Sequence, residues 1–412
     1  MNLWIFNHYA VTPDMPGGTR HYDLARELVK RGHRVVIFAT SFHHQLHREM
    51  RLQPEERWRI EDVDRVKFVW LRTPPYWRND WRRVRNMVVF ILRAWWLARK
   101  SSKLVPELGR PDVVIGSSPH LLTPLAAHWV ARHYRAPFVM EVRDLWPQTI
   151  IDMGELSACH PITKALQILE RFLYRRSERI ITVLPLAHEY ITACGISREK
   201  IIWIPNGVDI SRFRDVKPLE NDSHYFKIMY TGAHGQNDAL EGLIRAARIV
   251  QDRGFSNVRF ILVGDGPAKA GLVKLAKDLG LNNVEFRDPI QKHQVPGILV
   301  EANATILILY DLPLYKYGIS ANKIFDYLAA SKPLILAGMP ANNPVEEACC
   351  GLTIPPGDPE ALAEAVIQLY QMSPEERAEM GKRGREYVEK HHDIRKLAVR
   401  LEEVLQSLVS AS

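Results

Sequence analysis

The sequence predicts an α/β protein with two doubly wound, Rossmann-like domains. Its 412 residues are too many for one hydrophobic core, and 46% hydrophobic with 25% charged residues is typical of a globular protein. Buried-strand patterns alternate with amphipathic helices in the first half, and the same alternation restarts near residue 226. We therefore expect an N-terminal domain over residues 1–205, a polar linker over 206–224 and a C-terminal domain over 225–412.

The first half opens as a βαβ unit. A strand at residues 3–6 leads through Pro16-Gly17-Gly18 into a helix that Gly32 ends, and a strand follows at 34–39. Glycine at a first strand-to-helix turn lets a ligand approach the backbone, so Gly17 and Gly18 are candidate binding residues. The same glycines also suit a tight turn without any ligand.

Polar side chains follow two later strands of this half. Strands are predicted at residues 111–116 and 137–142, with helices at 121–132 and 162–177 and a strand at 179–183. His120, Glu141, Arg143 and Asp144 lie where the first two of these strands end, which is where ligands bind in open α/β sheets. We therefore take these four residues as candidates for lining a ligand cleft.

The second half repeats the pattern around a glycine-containing loop at residues 231–235. Strands are predicted at 226–230, 259–263, 284–286, 304–310 and 333–337, and helices at 239–253, 269–279, 295–302, 320–332, 360–371 and, as a pair, 374–409.

The helix at 320–332 suits a nucleotide diphosphate. Ser320 or Asn322 can cap its start, and a helix start carries free N–H groups and a positive dipole end. Lys323 adds a charge, and Asp326 on the same face can accept from ribose hydroxyls. A surface Lys–Asp pair on an ordinary helix is the alternative.

Residues 72–104 combine tryptophans with nine basic residues against one acid, Asp80. This composition is typical of a helix in a membrane interface, although a core helix with a solvated basic face also fits. We see no nucleic-acid-binding motif despite the net charge of +8. No apolar run is long enough to span a bilayer.

The remaining features indicate a reducing compartment. The four cysteines have no metal or redox spacing, and strand-like residues follow Met1 directly without a signal peptide. His43 and His47 have the i, i+4 spacing of a helical metal site, but no third ligand is nearby, so we expect no metal.

Several motifs in order resemble one enzyme family. They are the Pro-Gly-Gly loop, Arg-Asp-Leu-Trp-Pro at 143–147, Ile-Pro-Asn-Gly-Val-Asp at 204–209, Val-Gly-Asp-Gly-Pro at 263–267 and Asn-Lys-Ile-Phe-Asp-Tyr-Leu-Ala-Ala-Ser-Lys-Pro at 322–333. Together they resemble the GT-B retaining glycosyltransferases of glycosyltransferase family four, in the branch that builds bacterial surface polysaccharides.

The resemblance implies two Rossmann-like domains facing a cleft and a metal-independent glycosyltransferase. The donor would be a UDP-sugar of N-acetylhexosamine type, and the acceptor lipid-linked or a glycan, at the cytoplasmic face of the membrane through residues 72–104. No cofactor is implied beyond the donor substrate. The donor's contacts would be Gly17, Gly18, Gly232, His234, Gly235, Arg287, Ser320, Asn322, Lys323 and Asp326. The catalytic candidates would be Asp144, which would orient the acceptor hydroxyl, then His120 and Glu141.

The chain also departs from the family pattern. Gly318 stands where the family has a first glutamate, and Ala233 and Asp238 lie near its usual arginine and lysine. His234 and Lys323 are then expected to supply the charge. These departures keep a non-catalytic GT-B scaffold subunit open as an alternative. A GT-B sugar-nucleotide epimerase is the other alternative, but it needs paired acid/base carboxylates and histidines in the cleft, and the sequence offers only scattered ones.

Overall fold

A computed structural model describes residues 1–78, 80–216, 224–235 and 238–410, which form two compact α/β units. The first unit contains residues 1–12 and 18–205 together with the last helix, from Ile394 onward. The second unit contains residues 13–17 and 206–393. The second unit begins at Asn206, and Val208 and Ile210 lie in its hydrophobic core, so residues 206–216 belong to that unit and the expected linker is corrected there. Residues 217–223 of that linker lie outside the described part of the chain.

Parallel strands form the centre of the first unit. Its strands are β1 (Asn2–Phe6), β2 (Arg34–Thr40), β3 (Phe42–His43), β4 (Arg48–Glu49), β5 (Trp58–Val63), β6 (Val66–Leu71), β7 (Val113–Ser118), β8 (Phe138–Val142), β9 (Arg179–Thr182) and β10 (Ile201–Trp203). Within the described residues, eight of them form one sheet in the order β10-β9-β8-β7-β1-β2-β6-β5. Their apolar runs match a sheet covered on both faces.

Two local features differ from the sequence expectation. The edge strand β5 pairs antiparallel with β6, and its half-exposed residues lack a continuous apolar pattern. His43 lies in the two-residue strand β3, which pairs with β4, and His47 follows at a positive φ of 50°. The prediction that these two histidines are spaced along a helix was therefore wrong, because a hairpin-like turn replaces the helix.

The helices of the first unit cover both faces of its sheet. They are α1 (Arg20–Lys30), α2 (Trp81–Arg99), α3 (Ser101–Leu104), α4 (Leu122–Tyr134), α5 (Gln148–Asp152), α6 (Pro161–Arg176) and α7 (Ala187–Ala193). Crossovers between parallel strands are right-handed, and the connections that carry α2, α4 and α6 run in one direction along the sheet. These three helices therefore share one face, on which α4 packs against both α2 and α6.

The second unit has a parallel sheet in the order β13-β12-β11-β14-β15-β16. Its strands are β11 (Phe226–Thr231), β12 (Val258–Val263), β13 (Val284–Arg287), β14 (Ala304–Ile308), β15 (Leu334–Ala337) and β16 (Gly351–Ile354). Its helices are α8 (Leu240–Asp252), α9 (Lys269–Asp278), α10 (Val295–Val300), α11 (Asn322–Ala329), α12 (Pro344–Glu347), α13 (Pro359–Gln371) and α14 (Pro374–His391). The strand order reverses between β11 and β14, and ligands bind at such switch points.

The last helix, α15 (Ile394–Val409), belongs to the first unit. It packs against α1, and Leu397, Leu401 and Leu405 are buried. Its Glu402 accepts from the side chains of Arg31 and His33 at the end of α1. The expected C-terminal domain of residues 225–412 is corrected accordingly, because an amphipathic pattern does not specify which sheet a helix covers.

Candidate functional site

Two glycine-containing loops interlock at the switch point of the second unit. The loop after β11 contains Gly232 at a φ of 151°, and the loop after β12 contains Gly264 and Gly266 at 150° and 158°. A Cβ atom on Gly264 would lie 1.8 Å from the Gly232 carbonyl oxygen, and one on Gly266 would lie 2.4 Å from the His234 carbonyl oxygen. Only glycine allows this approach, and it leaves backbone rather than side chains at the carboxyl ends of both strands.

His234 is a buried residue of the loop after β11. Neither ring nitrogen has a hydrogen-bond partner among the described residues. Burial, with Lys269 nearby, lowers the pKa of His234 to about 4. The ring is therefore neutral at pH 7, and the expectation that His234 supplies a charge was wrong because the side chain turns into the unit rather than outward.

Lys323 lies directly over Gly232. Its Nζ atom donates to Tyr230 Oη at 2.5 Å and to Asp238 Oδ1 at 2.9 Å, and it lies 4.4 Å from the centre of the Tyr230 ring. A Cβ atom on Gly232 would be 2.9 Å from this Nζ, so glycine makes room for the ammonium group. Asp238 also accepts from the Gly235 N–H at 3.0 Å, which joins the loop to the lysine.

Tyr327 fixes the backbone of the same loop. It is fully buried in α11, and its Oη accepts from the Thr231 N–H at 2.8 Å. Burial raises the pKa of Tyr327, so the phenol stays neutral at pH 7. The sequence did not identify Tyr327, Tyr230 or Asp238 as binding-site residues, since each acts through a contact distant in the chain.

The start of α11 carries no side-chain cap, which corrects the capping predicted for Ser320 or Asn322. The N-cap residue is Ala321, and Ser320 Oγ instead accepts from the Asn206 N–H at 2.9 Å. Asn322 is the first helical residue and is half-buried. The next three helices begin with the capping side chains of Asn343, Asp358 and Ser373. The N–H groups of Asn322 and Lys323 thus meet no capping side chain, whereas that of Ile324 donates to the Ala321 carbonyl at 3.2 Å. Uncapped N–H groups at a helix start favour an anionic ligand.

Asp326 pairs with a lysine that the sequence did not suggest. Its Oδ2 atom lies 2.5 Å from Lys292 Nζ, and the two side chains are 10% and 13% exposed. Lys323 and Asp326 therefore do not form the surface pair that was the alternative. Lys323 binds Tyr230 and Asp238, Asp326 binds Lys292, and both side chains are largely buried.

Arg287 ends β13 beside the loop of Gly264. Its backbone carbonyl accepts from the Gly264 N–H at 3.2 Å. Its guanidinium group donates to Glu285 at 2.6 Å and to Glu301 at 3.1 Å. Two carboxylates thus hold this side chain in place, and Arg287 borders the switch point mainly through its backbone.

Glu141 ends β8 in the first unit as an internal anion. It accepts from Arg20 at 2.8 Å and from His21 at 2.6 Å, and Arg20 also donates to the carbonyls of Ile204 and Pro205. Burial alone would raise the pKa of Glu141, but His21 and Arg20 outweigh it and hold that pKa well below its ordinary value. The carboxylate is ionised and joins α1 to the sheet.

His120 forms a pair with His8, which the sequence did not single out. His120 follows β7 in the chain, and its Nε2 atom lies 2.8 Å from His8 Nδ1. Burial, with Arg83 nearby, lowers the pKa of His120 to about 3, and burial also lowers the pKa of His8. Both imidazoles are neutral at pH 7, so this pair can exchange a hydrogen bond but not supply a charge.

Asp144 and the two N-terminal glycines complete the predicted set. Asp144 follows β8 and is exposed, and its carboxylate makes no hydrogen bond to the described residues. Gly17 has a φ of 127°, which favours glycine. The division between the two units falls between Gly17 and Gly18. The structure thus brings together Gly232, Gly235 and Lys323 in one unit, and places His120, Glu141 and Asp144 on neighbouring strand ends of the other.

Two glycosyltransferase families match successive parts of the chain. Residues 17–207 match the Glycosyl transferase 4-like domain, and residues 225–372 match the Glycosyl transferases group 1 domain. Among curated proteins, WcaI of Escherichia coli, a glycosyl transferase assigned to colanic acid biosynthesis, is 26% identical over 212 residues, covering 48% of this chain and 51% of that protein. WcaL, also assigned there, is 27% identical and covers 58% of each chain. The chain thus spans about half the length of these relatives.

Solved structures agree with the fold over the full chain. Sucrose-phosphate synthase from Thermosynechococcus elongatus superposes with a TM-score of 0.75 at 16% identity, covering 100% of this chain and 99% of that one. Anabaena HepE in complex with UDP and glucose superposes at 0.69 with 15% identity, covering 99% and 100%. WaaG, a glycosyltransferase involved in lipopolysaccharide biosynthesis, superposes at 0.67 with 14% identity, covering 98% and 99%. The two matched domains thus resemble glycosyltransferases in sequence, and the chain has the GT-B fold of these solved structures.

Proposed function

We propose that the protein is a metal-independent, retaining enzyme that transfers an N-acetylhexosamine-type sugar from a UDP-sugar to a lipid-linked or glycan acceptor in cell-surface polysaccharide biosynthesis. The observation that carries this proposal is the start of α11, where a helix without a side-chain cap presents Lys323 above Gly232. The biosynthetic context comes from the relatives in colanic acid and lipopolysaccharide biosynthesis, and UDP from HepE.

The donor's diphosphate would lie against this helix start. An ammonium group has three donors, and Lys323 uses two of them on Tyr230 and Asp238. The third can donate to a phosphate oxygen without breaking either contact. When the bond between the sugar and the β-phosphate breaks, negative charge develops on the leaving UDP. The N–H groups of α11 and Lys323 would stabilise that charge, as fixed donors do in transition states.

The ribose would contact Asp326. Lys292 occupies its Oδ2 atom, which leaves Oδ1 to accept from a ribose hydroxyl. Lys292 also neutralises the carboxylate, so that a buried negative charge does not oppose the nearby diphosphate. The backbone loop at Arg287 would border the base, as the family resemblance implies.

The acceptor would be oriented by the first unit. Asp144 has an exposed carboxylate that makes no hydrogen bond to the described residues, which suits a hydrogen bond from the acceptor hydroxyl. In a same-face reaction the leaving phosphate accepts the proton of that hydroxyl, and no ionised histidine is required. The neutral His120 would then act as a hydrogen-bonding group. Glu141 would support the first unit from inside through Arg20 and His21.

We further propose that the enzyme lies at the cytoplasmic face of the membrane. Outward side chains of α2 include Trp81, Leu92 and Trp96, which are 64%, 51% and 44% exposed. Arg82, Arg85 and Lys100 are exposed beside them. Tryptophan at headgroup depth with basic residues on lipid phosphates is the pattern of an interfacial helix. In the described part of the chain, none of the helices is long and apolar enough to cross the membrane.

Isothermal titration with UDP, GDP and ADP, with EDTA present, tests the donor site. We expect saturable binding of UDP alone, and then transfer of label from a UDP-sugar panel to a lipid-linked acceptor with the anomeric configuration kept. A non-catalytic scaffold is the second candidate, since Asp238 partly neutralises Lys323. If none of the three nucleotides binds, the scaffold candidate is favoured and the proposed transfer is rejected.

A further inference from the structure

We propose that a groove between α2 and α4 binds the phosphate headgroup of an anionic membrane phospholipid. The inference extends the proposed membrane association by assigning one specific lipid site. It concerns a surface of the first unit that is separate from His120, Glu141 and Asp144.

The groove is built from two helices packed side by side. It has a volume of about 550 Å³ and is lined by Leu92, Trp95, Arg99, Trp129, Arg132 and His133. The rings of Trp95 and Trp129 contact each other edge-on, with centres 6.2 Å apart and planes 73° apart. The Arg99 guanidinium lies 5.4 Å from the centre of the Trp95 ring. A cation–π contact thus holds one cationic group of the groove against an aromatic ring.

The positive charge of the groove has no internal counterpart. Neither α2 nor α4 contains an aspartate or glutamate. No carboxylate of the described chain forms an ion pair with Arg99 or Arg132, whereas the helical Arg248 and Arg385 each pair with an acid four residues on. Two exposed arginines without acidic partners, one on each wall, suit a phosphate, which planar guanidinium groups bind in a fork.

The surroundings favour a lipid over a soluble phosphate. Leu92 lies in the groove at 51% exposure, and Trp96 lies one helical position beyond Trp95 at 44% exposure. On the other side of α4, the helix α6 exposes Ile168 and Phe172 at 70% and 37%. A soluble anion would gain nothing from this apolar rim, whereas acyl chains beside a bound headgroup would bury it.

Flotation with vesicles tests the site directly. Binding is measured to phosphatidylcholine vesicles and to vesicles containing 30% phosphatidylglycerol, for the wild type and for Arg99→Gln/Arg132→Gln. We expect the wild type to prefer the anionic vesicles. The double variant should lose about 30-fold in partition to them, because it lacks two basic residues and each contributes about equally to binding an anionic surface. Lys274→Gln/Lys277→Gln on α9 removes the same charge from the second unit and should keep the preference.

Three further measurements separate the outcomes. Arg99→Lys/Arg132→Lys keeps the charge and should keep only part of the preference if planar guanidinium groups bind the phosphate. Soluble glycerol phosphate should not bind in titrations without vesicles; tight binding would show a free phosphate site and overturn the lipid assignment. Calorimetry with UDP on the same samples reports the donor site and folding independently.

The groove assignment is rejected if Arg99→Gln/Arg132→Gln binds anionic vesicles as the wild type does. In that case membrane association itself still stands. If the wild type binds neither kind of vesicle while UDP binding persists, the membrane association and the groove are both rejected, and the donor site is unaffected.

Discussion

Lys323 and Asp238 form an ion pair at the switch point of the second unit, with 2.9 Å between Nζ and Oδ1. The side chains are 19% and 23% exposed, so solvent screens the pair only in part. The carboxylate holds the ammonium group above Gly232 and beside the start of α11. The site thus carries a positioned charge rather than a mobile surface lysine.

Removing the ammonium should weaken UDP binding. Lys323→Ala is expected to cost about 1.5–3 kcal/mol of UDP affinity, the range for a hydrogen bond to a charged group. Isothermal titration measures the change, with the exposed Lys277→Ala on α9 as the control. Unchanged UDP affinity in Lys323→Ala would exclude this lysine from the donor site.

Asp326 should make the protein selective for a ribose. The wild type is expected to bind UDP more tightly than 2′-deoxy-UDP, because the deoxy compound cannot donate from that position. Asp326→Asn should shrink the difference, and calorimetric titration of both nucleotides against both proteins measures it. Equal discrimination by the variant would contradict the proposed contact.

The close contact of the two glycine loops should make Gly264 irreplaceable. In Gly264→Ala the new Cβ would lie 1.8 Å from the Gly232 carbonyl, and φ is 150°. We expect a loss of about 2–4 kcal/mol from overpacking and backbone strain, measured by denaturant unfolding. Gly271→Ala lies in α9 with open space around its Cβ and should be neutral or stabilising by up to about 1 kcal/mol. Equal effects of both changes would refute the contact.

Glu170 should make the first unit less stable at higher pH. It is buried on α6 and accepts from Tyr174 and Tyr190 at 3.0 and 3.1 Å. Burial raises the pKa of Glu170 from 4.5 to about 7. Between those values the folded state binds the extra proton, so this group's contribution to stability falls as pH rises and levels off above pH 7.

Glu170→Gln removes that titration. Relative to the wild type, the variant should gain about 3 kcal/mol between pH 4.5 and pH 8, the equivalent of the shift in pKa. Unfolding temperatures of both proteins across this range measure the difference, in which all other titrating groups cancel. A difference that does not vary with pH would show that Glu170 is ionised in the folded protein.

The outward tryptophans of α2 should contribute to membrane binding through their apolar area and not through charge. Trp81→Ser/Trp96→Ser is expected to lower partition to anionic vesicles by at least about tenfold, because apolar area no longer leaves water. Flotation at low and at high salt measures this partition for the variant and the wild type. Met339→Ser/Val273→Ser removes exposed apolar side chains from the second unit as a control. Full retention of the tryptophan variant on vesicles would argue against α2 as an interfacial helix.

Periodic apolar patterns predicted the parts of the fold that depend on local sequence. The parallel strands, the helices between them and the polar residues at strand ends were found from the sequence, because a buried strand and an amphipathic helix each impose their own period. Contacts between distant residues were not found. Lys292 reaches Asp326 across 34 positions and His8 reaches His120 across 112, and no local pattern encodes either pair.

Local chemistry alone also misjudged two side chains and one helix. Ser320 has the chemistry of a cap, but it is engaged by Asn206. His234 has a titratable ring, but burial keeps it neutral. The helix α15 has an apolar face, but that face completes the first unit. In each case the deciding contact comes from another part of the chain.

The position of α15 has a consequence for how the chain is made. The first unit cannot cover α1 until residues 394–409 have left the ribosome, after all of the second unit has been synthesised. Until then Arg31 and His33 lack Glu402, and the side of α1 that packs against α15 stays open to water. The second unit is therefore the part able to finish folding first, and the half synthesised earlier is completed last.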